Sequence, residues 1–219
     1  MPFTEVREQV WRATQKLCES NLIRLSAGNV GLRVGDDALA ITPSAVRYDV
    51  MQPEDIVIID LDGQVIDARP GRRPSSEWRL HAAILRGLPE VGAVVHTHSV
   101  YAMTFAALAR EIPVISLEVY AIGGPIPVAP YACPGTEAVG AGAVALFRER
   151  PALKALLLQN HGLVAIGATL DEAHEVAYDA EIGAQTAYQA YQLGTPVVLT
   201  DEQIAEIRRV YRAPARRGG

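Results

Sequence analysis

Only two cysteines, Cys18 and Cys133, occur in the 219 residues. Two thiols so far apart build neither a disulfide framework nor a spaced metal ribbon, so both are expected to be reduced, with Cys133 outside any metal site. Positive charge is also scarce: 20 lysines and arginines stand against 25 acidic residues, a net charge of -5. A nucleic-acid partner would favour a basic surplus, and none is expected here. No apolar run approaches the roughly 20 residues that a bilayer span needs, so no membrane partner is expected either. The opening stretch MPFTEVREQVWRATQK mixes charges among its apolar positions and does not read as a signal peptide. The expected compartment is the cytoplasm.

What the chain does have is ordinary for a folded enzyme-sized unit. Hydrophobic residues make up 49% and charged residues 21%. The length suits one domain with one sizeable core, so residues 1–219 are expected to form a single domain, with 213–219 (APARRGG) a frayed tail. Apolar residues at Phe3, Val6, Val10, Ala13 and Leu17 recur at helical spacing, which predicts a helix from 4 to about 20. Gly35-Asp36-Asp37 and Asp62-Gly63 predict two hairpins, the first into 38–42 and the second joining 56–60 to 64–67. The Pro/Gly/Arg segment 68–74 is expected to be a surface loop. Further helices are expected at about 78–88, 100–109, 136–150, 171–193 and from 201 onward. Short strands are expected at 91–95, 114–117 and 154–159, with an irregular connection through 123–130. Hairpins mixed with long helices, without regular βαβ alternation, predict an α/β fold: a three-layer α/β/α arrangement around a mixed, largely antiparallel sheet.

The most informative stretch is Ala93-Val-Val-His-Thr-His-Ser99. It begins as a buried strand, and side chains alternate along a strand, so His96 and His98 share a face while Thr97 points away. Two neutral imidazoles on one face can converge on a cation, although such a pair is also met in ordinary cores. A third histidine, His161, ends the apolar run KALLLQN and is followed by Gly162, which permits a tight turn and close backbone approach. Three histidines with an open fourth position suit a catalytic zinc or a similar divalent ion. His81 and His174 read as structural residues.

Hydroxyl-bearing and glycine residues cluster in three loops, at 26–29, 42–45 and 75–76. Backbone N–H groups in tight turns, together with the start of the helix after Ser76, make a suitable cradle for a phosphate dianion. Any one of these loops alone reads more readily as turn and cap residues. Glu77, beside the helix start, reads by itself as a dipole or capping partner.

The segments GNV (28–30), ITPSA (41–45), PSSEWRLH (74–81), VVHTHS (94–99) and LLLQNHGL (156–163) follow the order seen in the class II aldolase/adducin family. The chain resembles that family from about Val6 to Ile207, and most of all its fuculose-1-phosphate aldolase branch. The resemblance implies that His96, His98 and His161 hold the metal, normally zinc, with cobalt or manganese as alternatives. It implies that Glu77 is a displaceable fourth ligand and the catalytic acid/base. Gly28, Asn29, Ser44, Ala45, Ser75 and Ser76 would bind the phosphate of a small phosphorylated sugar. The reaction implied is reversible cleavage of a short ketose 1-phosphate to dihydroxyacetone phosphate and an aldehyde. The family's 4-epimerase and decarboxylase chemistries, and a non-catalytic adducin-like interaction domain, are the alternatives. A homotetramer with active sites between subunits is also implied. The chain departs from the family pattern at Ala45, where glycine is common; alanine serves there only if the position does not require positive φ. The position of the family's aldehyde-facing tyrosine holds Leu117, which leaves Glu118 and Tyr120 as the aldehyde-side candidates. Tyr211 and the arginines of the tail show no clear match to the family's tail tyrosine.

Overall fold

The computed structural model describes residues 3–212, so the tail 213–219 lies outside the described residues. The chain runs α1 (Thr4–Glu19), β1 (Asn29–Val34), β2 (Ala38–Ile41), β3 (Val57–Asp60), β4 (Val65–Asp67), α2 (Trp78–Gly87), β5 (Ala93–Thr97) and α3 (Val100–Ala107). It continues through α4 (Leu117–Ala121), β6 (Val128–Ala129), α5 (Glu137–Glu149), β7 (Ala155–Leu158), β8 (Gly162–Gly167), α6 (Leu170–Leu193) and α7 (Asp201–Arg212). All eight strands join one sheet in the order β4-β3-β2-β1-β5-β8-β7-β6. Every pairing is antiparallel except that of β6 with β7.

Alternation along the strands sorts side chains onto two cores. Val30, Ala93, Val95, Ala155, Leu157, Leu163 and Ala165 face a core completed by α1, α3, α4 and α6. Their neighbours Val94, Leu156, Leu158, Val164 and Ile166 face the opposite core, closed by Leu80, Ile84 and Leu85 of α2 and Val139, Ala143 and Phe147 of α5. Central strands covered on both sides must be apolar on both, which is why β5, β7 and β8 are buried throughout. The three-layer α/β/α fold and the largely antiparallel sheet are as expected. α6 lies close on its side because it presents Ala173, Ala177, Ala180, Ala184 and Ala187, all fully buried.

Two local expectations fail, and one strand appears where none was expected. Residues 114–117 form no strand: Ser116 instead caps α4, accepting the Val119 N–H at 3.5 Å. Ile112 and Val114 are buried there, but among the described residues only a bridge between Ile112 and Ile126 and a 2.9 Å hydrogen bond from the Leu199 N–H to the Val114 carbonyl run alongside, too little for a ladder. Within the connection 123–130, β6 pairs with β7. Most consequential, GLVAIG (162–167) is a full strand, β8, that hairpins back along β7 and pairs with β5.

Candidate functional site

The sheet register explains how distant histidines meet. Along β5, Val94 faces α2, so His96, two residues on, faces α2 as well. His98 follows on the same side, and the two Nε2 atoms lie 3.0 Å apart. Thr97 points away, with its hydroxyl 3.1 Å from Ser99 Oγ. The β5–β8 ladder sets Thr97 opposite Leu163, so the β7–β8 turn carrying His161 stands directly beyond His96. That turn needs a left-handed residue, and Asn160 supplies it at φ 56°. Gly162 keeps negative φ; its role is close packing, since a Cβ there would collide with the Thr97 carbonyl and crowd His96.

Glu77 is the N-cap residue of α2, but its side chain makes no capping hydrogen bond. It turns to the histidines instead. Oε2 lies 3.3 Å from His96 Nε2 and Oε1 lies 3.2 Å from His161 Nε2. One ligand atom from each of Glu77, His96, His98 and His161 falls within 4.8 Å of all the others. Ligands bonded at about 2.0–2.1 Å to a tetrahedral zinc sit roughly 3.3 Å from one another, so this spacing suits such an ion. The donors are also prepared for one. His96 Nδ1 lies 2.9 Å from the Leu163 carbonyl, which places the ring proton there and leaves Nε2 its lone pair. Burial, with His161 and His98 nearby, holds the His96 imidazole far below its usual range. Burial and His161 lower His98 likewise, so both rings stay neutral. Glu77 Oε1 is buried without a hydrogen-bond partner, as an oxygen awaiting a cation would be. Cys133 is exposed and stands outside the group.

The three loops expected to form a phosphate cradle are adjacent. Ser44 N–H donates to the Arg73 carbonyl at 2.9 Å and Ser75 N–H to the Thr42 carbonyl at 3.0 Å, zipping 42–44 to 73–75. Tyr48 fastens the third loop: its hydroxyl donates to the Gly28 carbonyl at 2.5 Å, and burial pushes its phenol well above the usual range, so it remains a donor. Gly28 adopts φ 82°, and a Cβ there would meet the His96 carbonyl oxygen at 2.6 Å. Ala45 does occupy a left-handed conformation, φ 58°, so against the expectation alanine serves at a positive-φ position, and the cradle keeps its bend at the cost of local strain. Ser76 and Ala45 are exposed, Ser44 is half-buried and Ser75 is buried.

Two placements differ from expectation. Asn29 sits opposite His96 across the β1–β5 ladder, and its amide is engaged inward: Nδ2 donates to Glu77 Oε2 at 2.8 Å and Oδ1 meets His81 Nε2. His81, read as structural, is fully buried and joined to the site through Asn29. Burial, reinforced by His96, holds its ring down at about 3. The i, i+4 spacing from Glu77 was visible in the sequence, but the bridging Asn29 was not. On the aldehyde side, α4 packs against α6, where Glu118 adds to the upward push that burial gives the Asp179 carboxyl. Among the described residues, no hydrogen bond or ion pair joins Glu118 or Tyr120 to the four-residue group. Tyr48 carried no sequence signal, because only the folded loop puts its hydroxyl under Gly28.

Residues 8–188 match the family model described as Class II Aldolase and Adducin N-terminal domain. The chain is 38% identical over 214 residues to the L-fuculose phosphate aldolase of Escherichia coli (strain K12), covering 97% of this chain and 96% of that protein. It is 34% identical over 212 residues to the 5-deoxy-D-ribulose 1-phosphate aldolase of Bacillus thuringiensis serovar kurstaki, covering 96% and 97% respectively. A solved L-fuculose 1-phosphate aldolase superposes with a TM-score of 0.87 at 29% identity, covering 95% of this chain and 96% of the other.

Proposed function

Since the chain belongs to the class II aldolase and adducin family and is one of its aldolases, we propose that it reversibly cleaves a short ketose 1-phosphate. The products are dihydroxyacetone phosphate and an aldehyde. The substrate class is that of L-fuculose 1-phosphate or a related pentulose or deoxypentulose phosphate, the kinds named among its relatives. The observation that carries the reading is the four-residue group whose ligand atoms gather within 4.8 Å, set beside three interlocked loops rich in hydroxyl and N–H groups.

In this reading His96, His98 and His161 hold a zinc ion, with cobalt or manganese as substitutes, and Glu77 completes the set. A divalent ion there supplies Lewis acidity for the negative charge of an enediolate. Glu77 does the proton work through Oε1, the oxygen with no hydrogen-bond partner, while Asn29 tethers Oε2. Ser44, Ser75 and Ser76, with the backbone at Gly28 and Ala45, bind the phosphate remote from the bond that breaks. That remote binding is available for orientation of the reacting carbons. In the homotetramer that the reading includes, Tyr120 and Glu118 would serve a site completed between subunits.

The test is release of dihydroxyacetone phosphate from a panel of ketose 1-phosphates by zinc-loaded protein, abolished by chelation and restored by zinc. Bound zinc without release of triose across the panel would overturn the reading. Recovery of an epimerised sugar in place of triose would move it to the epimerase alternative.

A further inference from the structure

We propose that His81 is a positioning residue, acting through Asn29 to fix which oxygen of the Glu77 carboxylate is left free at the histidine group. The inference rests on the reading that Glu77 works at a metal site. His81 stands one turn beyond Glu77 on the sheet-facing side of α2 and is fully buried. Its ring occupies the gap left by Gly31 of β1, where any Cβ would collide with it. Nε2 meets Asn29 Oδ1, while Nδ1 has no hydrogen-bond partner. Leucine or phenylalanine would fill that gap without leaving a polar atom bare. Packing therefore does not account for a histidine, and the Nε2 contact does.

The donor order along the chain of contacts is constrained. A carboxylate only accepts, so Asn29 must present its amide N–H groups to Glu77 Oε2, at 2.8 Å. Its carbonyl oxygen then faces His81 and must itself accept. A neutral imidazole carries one N–H, so the His81 proton sits on Nε2. If Asn29 turned over, its carbonyl oxygen would face the carboxylate and its amide would face an N–H donor. With the His81 proton kept on Nε2, both contacts would repel. His81 thus locks the amide, the amide tethers Oε2, and Oε1 is left toward His161 at 3.2 Å without another partner.

The decisive experiment measures Co2+ affinity by competition with a chelating dye, together with the visible absorption of the cobalt-loaded protein. His81→Phe should weaken binding by about 10-fold, the scale of an outer partner of a metal ligand, and should shift the absorption bands. His81→Gln, whose amide N–H reaches a position close to that of Nε2, should restore most of both. In an Asn29→Ala background, His81→Phe should change affinity by less than about 2-fold, because its route to Glu77 is gone. Affinity within about 2-fold of wild type for His81→Phe, equal weakness of the glutamine and phenylalanine variants, or undiminished loss in the Asn29→Ala background would each overturn the proposal. Should His81→Phe fail to fold, 15N resonances of the metal-free wild type decide: a proton on Nε2 supports the proposal and a proton on Nδ1 overturns it. None of these readouts needs a substrate, so failure of the aldolase reading is recognised separately by absence of triose release with cobalt bound. Where turnover is measurable, kcat should fall in His81→Phe while KM stays within about 2-fold.

Discussion

On the α6 side of β5, Ala93 and Val95 meet a face of alanines that closes over them completely. On the α2 side of the same strand, His96 meets a second imidazole, a carboxylate and, across β1, a buried amide. The backbone is shared and the distance between the two environments is one side chain. One face uses small apolar residues to approach closely; the other gives up apolar contact and leaves Glu77 Oε1 and His81 Nδ1 buried without partners. Unpaired buried polar atoms cost about 1–3 kcal/mol each; Arg7 Nη2, which is paired with Asp67, and His174 Nδ1 on α6 lack hydrogen bonds too, so what marks the α2 side is that two such atoms gather at the histidine group.

The largest test of that contrast removes the charge on the α2 side. Glu77→Gln should lower kcat by roughly 10²–10⁴-fold, measured as the rate of triose phosphate release, with little change in the unfolding midpoint. Next comes the acid response. His81 is held near 3 when folded and returns to about 6.5 when unfolded, so its contribution is fully present above pH 6.5 and is lost as pH falls toward 3. Metal-free protein should lose about 1.4 kcal/mol per pH unit from this residue alone between pH 6 and 4. Urea midpoints across that range should show a shallower slope in His81→Phe, by about one proton. On the α6 side the expectation is reversed: Ala180→Leu should cost about 1–3 kcal/mol by overpacking while ion stoichiometry per folded molecule stays unchanged. A loss of bound ion in that variant would show the two faces to be coupled. Smallest is Ala45→Gly, which relieves a left-handed alanine and should raise the unfolding free energy from urea titration by up to about 1 kcal/mol, with the phosphate cradle unaltered.

Much of the α6 side and the three histidines are legible from local patterns, whereas Glu77 reads locally as a capping partner and takes its role only from the family resemblance. Period-two alternation through 93–98 assigns faces without knowledge of the partner strands, and His96 and His98 follow directly. The strand β8 escaped because a fully apolar hexamer bounded by glycines has no alternation to reveal it, and its pairing with β5 is a tertiary fact. The 114–117 segment misled for the opposite reason: its β-branched Val114 and Ile115 suggest a strand, yet only a single hydrogen bond from the Leu199 N–H to the Val114 carbonyl runs beside it and Ser116 starts a helix. The family resemblance implies a phosphate role for Asn29, whereas the ladder places it opposite His96 and its amide donates to Glu77. His81 looked like packing because burial and function coincide there.

The pairing of His96 with Val164 and Asn29 makes the site a matter of parity. Insert one residue early in β5 and both imidazoles swing among the alanines, while Thr97 and Val95 are delivered to the carboxylate; insert two and the histidines regain their side, displaced along the strand. Residues that build this centre can therefore drift in the loops between segments far more freely than β5 can change length by an odd number.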